Sequence, residues 1–192
     1  MSETATAAKA RRQSLRNVVY AVVTNDGTSG TEYGAIKRLP GAINATINPS
    51  VNTESLYADD GEYEYLESFA GADMELSLVD IPLEDQAAIL GHTYDQSKKM
   101  IVRKSNDHAP YIAIGFLSEV FTGTYRVVWM LKGKFTDPES TYATAEENPA
   151  WNTPSMSGHF IRRLSDDEWQ REIDVTTAEA AQTNLATVGG AQ

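Results

Sequence analysis

The chain has 192 residues, no cysteine and a formal net charge of −11. Its length allows one domain with a buried core, and the absence of cysteine excludes disulfides, thiolate metal sites and cysteine nucleophiles. The acidic balance argues against sequence-specific DNA binding, which needs clustered Lys and Arg, and no apolar run reaches the ~18 residues of a transmembrane helix.

Alternating and compact apolar runs predict strands along most of the chain. The first run, VVYAVV at 18–23, ends at the turn Asn25-Asp26-Gly27. Residues 42–48, AINATIN, alternate apolar and polar side chains, and residues 74–79, MELSLV, repeat that period. The remaining predicted strands are 99–104, 111–117, 125–132, 159–164 and 168–174.

Two of these strands predict a hairpin. The segment between 111–117 and 125–132 contains Thr122-Gly123-Thr124, whose residue types favour a tight turn. Residues 125–132, YRVVWMLK, follow the period of a strand. One face of that strand is expected to carry Tyr125, Val127, Trp129 and Leu131.

One segment, 82–91, predicts a helix. Pro82 suits a first helical turn and Gly91 provides a C-terminal stop. Glu84 and Asp85 favour the positive N-terminal end of the helix dipole. Many strands with a single short helix predict a mainly β fold, an antiparallel β-sandwich or barrel with one flanking α-helix. The helix is expected to lay one apolar stripe on the sheet, formed by Leu83, Ala87 and Leu90.

Residues 16–175 are expected to form this domain. The polar residues 1–15 and the small, weakly patterned residues 176–192 predict flexible terminal arms. The basic N-terminus has no apolar stretch behind it, so we expect no secretory signal. Two segments, 48–71 and 136–154, are too long for ordinary connections and predict protruding loops.

The two protruding segments combine aromatic and acidic side chains. Aromatic residues argue against simple disorder, and on an exposed segment they favour a protein interface. The overall acidity has a second interpretation, in which it only keeps an abundant protein soluble. The candidate inter-subunit contacts are Leu56, Tyr57, Tyr63, Tyr65, Phe69, Tyr142 and Trp151. The candidate acidic residues of an interface or a lumen are Asp59, Asp60, Glu62 and Glu64.

The sequence contains no pattern typical of catalysis or cofactor binding. The histidines, His92, His108 and His159, share no metal-ligand spacing, so we expect structural or surface roles for them. The Asp59-Asp60-Gly61-Glu62 cluster has three interpretations: a solvated turn, an acidic surface, or paired carboxylates for acid–base work, which would need a pocket that shifts their pKa values. We expect no catalytic residue, no metal and no cofactor, and a protein that is not an enzyme.

Four stretches in one order resemble the major tail protein family of long, non-contractile-tailed bacteriophages. The first pairs NVVYAVVTNDG with YGAIKRLPGAINATINPSVNTESLYADDG, and the second is VDIPLEDQAAILGHTYD. The third pairs APYIAIGFLSEV with TYRVVWMLKGKFTDP, and the fourth is TPSMSGHFIRR. The resemblance covers residues 16–164 and leaves the terminal arms outside.

This resemblance implies a structural virion protein, the major tail tube subunit. It implies a β-sandwich that forms rings, usually hexameric, which stack into the conduit for DNA ejection. It also implies that long loops and arms join neighbours, that the lumen is electronegative and that helix 82–91 packs outside the sheet. The implied partners are further copies of the chain, the tape-measure protein, the tail terminator and tail-tip proteins. DNA is expected to pass through the lumen without specific binding, with no membrane involved and with assembly in the host cytoplasm.

Two other functions remain as alternatives. The first is a related ring-forming tube or terminator protein of a contractile or secretion particle, which would share the sandwich-and-ring architecture. The second is a carbohydrate-binding β-sandwich. Its sugar-stacking platforms would be Tyr57, Tyr63, Tyr142 and Trp151.

Overall fold

The computed structural model describes residues 12–58, 60–120, 123–139 and 153–190. Within these ranges the protein is mainly β, with two short helices. None of the described helices has the length and apolar character to cross a membrane. The elements are β1 (Arg12–Gly27), β2 (Gly30–Tyr33), β3 (Lys37–Arg38), β4 (Ala42–Ala58), β5 (Gly61–Leu78), α1 (Leu83–Leu90), β6 (Thr93–Asp95), β7 (Met100–Val102), β8 (Ile112–Val120), β9 (Thr124–Phe135), β10 (Ser155–Phe160), β11 (Gln170–Val175) and α2 (Ala178–Leu185).

Nine strands form one antiparallel sheet in the order β2-β1-β8-β9-β10-β5-β4, with β3 paired to β1 and β11 paired to β9. One edge of β9 is shared, because β11 pairs with its residues 125–130 and β10 with its residues 133–135. Strands β1 and β4 contact each other although they lie far apart in the strand order, so the sheet curls back on itself. This geometry confirms the predicted antiparallel sandwich or barrel, and β8 and β9 are the predicted antiparallel pair.

Two hydrophobic cores lie on opposite faces of the central strands. In β9, Val128 and Met130 enter the first core. Val127, Trp129 and Leu131 enter the second core, which confirms the predicted face of this strand. Both faces of β9 are buried at residues 127–131, which form a continuous apolar run with no polar alternation.

The helix α1 is confirmed, with a difference in its buried face. It ends at Gly91, whose φ of 79° lies in the left-handed region that glycine tolerates best. Ala87 and Leu90 of the predicted stripe are buried. The expectation for Leu83 was wrong, since its side chain is 42% exposed and Ile89 is buried instead. The buried positions all lie beyond the first turn, so the exposed first turn carries Leu83 outward.

Both predicted terminal arms contain regular structure. Strand β1 begins at Arg12 and pairs with the end of β8, so the sheet extends into the segment expected as an N-terminal arm. A second helix, α2, lies in the expected C-terminal arm, where Thr177 accepts a hydrogen bond from the Ala180 amide as an N-cap. Ala181 and Leu185 of α2 are buried in the second core, which corrects the expectation of a single helix.

The largest difference from prediction concerns residues 48–71. The two predicted strands 42–48 and 74–79 do not end there; they continue outward as β4 and β5 and stay paired as far as Ala58 and Gly61. The expected loop is therefore a long two-stranded antiparallel hairpin. We call residues 51–69, the outer part of β4 and β5, the acidic hairpin. The second expected loop, 136–154, lies largely outside the described residues.

Candidate functional site

The acidic hairpin is exposed along nearly its whole length. All of its described residues are exposed except Ser55 and Phe69, which are half-buried. Tyr57 and Tyr63 are 71% and 73% exposed, and Leu56, Leu66 and Tyr65 are each more than half exposed. Large apolar side chains scattered singly on a surface need no explanation, whereas several of them on one ribbon make it the candidate interaction surface.

Cross-strand register assigns these residues to two faces. The first face continues the side of β4 on which Ala45 and Ile47 pack against the core. Its pairs are Val51 with Phe69, Thr53 with Glu67, Ser55 with Tyr65, and Tyr57 with Glu62. The second face carries Asn52 with Ser68, Glu54 with Leu66, and Leu56 with Glu64. Of the predicted contacts, Leu56 therefore lies on the opposite face from Tyr57, Tyr65 and Phe69, and Tyr63 sits at a bulge.

The base of the acidic hairpin is anchored to the body of the domain. The ring of Phe69 stacks on Trp169, with 4.8 Å between the ring centroids and an angle of 18° between their planes. Phe69 was predicted as an inter-subunit contact, yet its ring is already engaged within its own chain. Beside this stack lies an open groove of about 780 Å³, where Leu164 is 60% exposed. Sequence reasoning missed Trp169 and Leu164, because pairing across a hundred residues leaves no local signal.

The charge of the hairpin has one sign. Residues 51–69 contain six carboxylates and neither Lys nor Arg. Two carboxylates accept hydrogen bonds from hairpin hydroxyls: Ser55 Oγ donates to Glu62 at 2.6 Å, and the Tyr65 hydroxyl donates to Glu67 at 3.3 Å. The predicted residues Asp60, Glu62 and Glu64 are exposed on this ribbon, together with Glu54 and Glu67. Asp59, Tyr142 and Trp151 lie outside the described residues.

His92 is held between two carboxylates behind the helix α1. Its Nδ1 lies 2.9 Å from an Asp107 oxygen and its Nε2 lies 3.0 Å from an Asp137 oxygen. A neutral imidazole can donate only one of these bonds, so this geometry fits the imidazolium. Burial alone lowers the pKa of His92, but the hydrogen bonds to Asp137 and Asp107 outweigh it and raise the pKa above its ordinary value. This arrangement supports the structural role predicted for His92.

A second charged cluster is buried at the end of the sheet that carries β2. Lys132 Nζ lies 2.5 Å from an Asp26 oxygen, and both side chains are at least nine-tenths buried. Burial alone raises the pKa of Asp26, but hydrogen bonds from Lys132 and Thr31 outweigh this effect and lower the pKa. Asp26 thus stays ionised as the counter-ion of Lys132, which is a structural arrangement.

The described residues include no group of three or more His, Asp or Glu side chains placed to hold a metal ion. Comparison with known proteins adds no relative. No protein-family model matches the chain, and no curated protein matches it. The resemblance to tail tube subunits therefore rests on the sequence stretches quoted for it and stays a prediction. Within the described part of the chain, the acidic hairpin carries six of the exposed large hydrophobic side chains on one ribbon, namely Val51, Leu56, Tyr57, Tyr63, Tyr65 and Leu66.

Proposed function

We propose that the chain is a structural virion protein, the major subunit of a phage tail tube, and that it assembles into rings, hexameric by the resemblance, which stack into a conduit for DNA. The observation that carries this proposal is the acidic hairpin, a ribbon exposed on both faces and carrying Leu56, Tyr57, Tyr63, Tyr65 and Leu66. The sequence resemblance supplies the kind of assembly. The hairpin supplies the surface that needs a neighbour.

The length of the hairpin supports a contact between subunits. From Val51 to its tip the ribbon spans about 30 Å at the rise of a β-strand. A compact chain of 192 residues has a radius of gyration of only about 16 Å. An isolated two-stranded ribbon is marginally stable in water, so a projection of this length gains stability when a neighbour covers one of its faces.

The position of the hairpin supports a ring or a tube over a symmetric pair. The hairpin includes β4, the strand at one end of the sheet order, and under this proposal it contacts a different surface of the next copy. Contacts between two different surfaces of one chain are head-to-tail, and such contacts close into rings or continue as filaments. The tail tube combines both outcomes, because rings close within a layer and layers stack.

The net charge of −11 fits a conduit for DNA. A wall bearing carboxylates repels phosphates at every position, which favours sliding over binding. Under this proposal the protein is not an enzyme and acts through partners. These are its own copies, the tape-measure protein, the tail terminator and tail-tip proteins, in the virion tail.

Electron microscopy of the purified full-length chain tests the proposal. Negative staining over a range of protein concentrations is expected to show rings with a central opening, or tubes of stacked rings. A protein that stays monomeric at every concentration, by sedimentation and by microscopy, would contradict it. A sheath protein encoded nearby would instead favour the tube of a contractile particle.

A shortened hairpin separates assembly from folding. Replacing residues 54–66 by Asn-Gly joins Thr53 to Glu67, which already face each other, through a two-residue turn. Because the removed residues are exposed, the variant is expected to keep the circular dichroism spectrum and melting behaviour of the wild type while forming no rings. Loss of the folded spectrum would show that the hairpin is needed for the core. Normal rings would show that it is not the assembly surface.

A further inference from the structure

We propose that the acidic hairpin of one copy docks on the short hairpin β6–β7 of the next copy. This inference rests on the proposed function, because it names the receiving surface for the same assembly. We call residues 93–104, which comprise β6, its turn, β7 and the two residues after it, the basic hairpin. The charges of the two hairpins have opposite sign: residues 51–69 carry six carboxylates and no cation, and residues 93–104 carry four cations and one carboxylate.

The basic hairpin concentrates positive charge. Its stretch 98–104, KKMIVRK, holds four cations in seven residues and no carboxylate, a quarter of all Lys and Arg in the chain. Lys98, Lys99 and Met100 are exposed at the turn, and Lys104 is exposed beyond β7. Among the described residues, no carboxylate lies within 4.0 Å of the ammonium group of Lys99 or Lys104, while Lys98 is 3.9 Å from Asp95.

The base of the basic hairpin is fixed to the body of the domain. His92 and Lys104 both bond the Asp107 carboxylate, through the imidazole at 2.9 Å and the backbone amide at 2.8 Å, which closes the hairpin at its base. Arg103 donates from Nη2 to Gln86 of α1 at 3.1 Å. The cations at the turn are thus presented from an ordered platform, which lowers the entropic cost of binding.

The two hairpins match in chemistry as well as in sign. The carboxylates of the acidic hairpin would meet ammonium groups, and Lys98 or Lys99 would gain further attraction over a tyrosine ring. The thioether of Met100, 43% exposed, suits contact with the ring of Tyr57 or Tyr63. The turn of the basic hairpin and nearly all of the acidic hairpin are exposed, and the acidic hairpin, about 30 Å long, reaches far enough to meet another copy.

Charge reversal at both surfaces tests the docking. The first variant carries Lys98→Glu, Lys99→Glu and Lys104→Glu; the second carries Glu54→Lys, Asp60→Lys, Glu62→Lys, Glu64→Lys and Glu67→Lys, which makes the net charge of the acidic hairpin positive. Each variant alone then opposes like charges, and the protein concentration needed for rings is expected to rise about tenfold or more. An equal mixture of the two variants is expected to assemble again, because every contact between alternating copies is complementary. One chain that carries all eight substitutions is expected to assemble as well.

A matched control reverses three exposed cations elsewhere on the domain, by Lys37→Glu, Arg38→Glu and Arg162→Glu. This control changes the net charge by the same amount as the first variant and is expected to assemble like the wild type. Equal loss of assembly in the control would overturn the docking, since net charge alone would then explain the result. Circular dichroism of every variant identifies any that fails to fold. Recovery of assembly in the mixture of the two folded variants then decides whether the hairpins dock.

The outcomes separate the docking from the proposed function. Wild-type rings with no recovery in the mixture, or no loss in the single variants, overturn the docking and leave the tail tube proposal intact. A wild type that never assembles contradicts both. If the first variant assembles normally but loses binding to a DNA duplex that the wild type retains, the basic hairpin binds nucleic acid and the docking is overturned.

Discussion

The acidic and basic hairpins leave the same domain but differ in length, charge and anchoring. The acidic hairpin, 51–69, is fixed at one end by the stack of Phe69 on Trp169 and is exposed beyond it. The basic hairpin is short and is tied to the body around its base, through His92 and Arg103. The acidic hairpin therefore reaches outward, while the basic hairpin is held in place. The proposed head-to-tail contact uses both properties.

The largest expected effect on stability comes from a glycine-to-alanine substitution at Gly91, and the same substitution at Gly61 is its comparison. Gly91, next to the basic hairpin, has φ of 79°, and an added Cβ would lie 2.1 Å from the His108 carbonyl oxygen. Gly91→Ala is therefore expected to lower the free energy of unfolding by more than about 2 kcal/mol, by strain and displaced backbone. Gly61, in the acidic hairpin, has no atom within 4 Å of an added Cβ.

Gly61→Ala is the control for this comparison. It is expected to change the free energy of unfolding by less than about 0.5 kcal/mol, as exposed substitutions usually do. Chemical denaturation of both variants measures the two values. Equal changes in the free energy of unfolding would contradict the expectation that the backbone beside the basic hairpin is more tightly packed than that of the acidic hairpin.

An intermediate effect is expected where the acidic hairpin joins the body. Phe69→Ala and Trp169→Ala each remove one side of the aromatic stack, with an expected loss of about 1–3 kcal/mol, since Phe69 is only half-buried. The double variant is expected to cost less than the sum of the single ones, by about 0.5–1.5 kcal/mol. Denaturation of the three variants completes the cycle. Simple additivity would show that the stack does not anchor the hairpin.

The smallest effect is a pH dependence that arises at His92, at the base of the basic hairpin. The pKa of His92 is raised in the folded protein, so its stabilising contribution is complete below the ordinary value of about 6.5 and is lost as pH rises through the folded pKa. The contribution is expected to be about 1–2 kcal/mol, reduced because Asp137 is partly exposed to solvent. A nuclear magnetic resonance titration measures the pKa of His92. The dependence of stability on pH, compared between the wild type and His92→Gln, measures its stabilising contribution.

A His92 resonance that titrates at or below the ordinary histidine pKa would contradict the arrangement in which His92 bonds both Asp107 and Asp137. So would a His92→Gln variant whose stability falls with rising pH as steeply as that of the wild type. The exposed residues of the acidic hairpin provide an internal reference for this titration, because none of them takes part in the hydrogen bonds of His92 with Asp107 and Asp137.

Much of the fold could be predicted from local patterns. The apolar runs around Val19 and Trp129 identified buried strands, and Gly91 identified the end of α1. The outer part of β4 and β5 could not be recognised as strand, because both faces are exposed and the apolar alternation is lost. Its regular structure is set by register that continues outward from Ala45 and Ile47, which face the core.

The second helix and the hairpin anchors were missed for different reasons. Helix α2 buries only Ala181 and Leu185, so its sequence carries a weak periodic signal, although Thr177 is an ordinary N-cap residue. The stack of Phe69 on Trp169 joins residues that are distant in the sequence, because β10, which pairs with β5, and β11 both pair with β9, and no local pattern encodes this contact. The role of the hairpin tyrosines and carboxylates in an interface stays a prediction, and their division between two faces required the pairing of β4 with β5.

Hydrogen exchange of the assembled protein tests most directly whether the acidic hairpin is the assembly surface. Amides of residues 51–69 are expected to exchange quickly in dilute protein, because an uncovered ribbon opens locally, and to become protected when rings form. Residues 96–104 of the basic hairpin are expected to gain protection in the same fraction, while the core strand β9 stays unchanged. Rings in which residues 51–69 exchange as quickly as in the dilute protein would contradict the account.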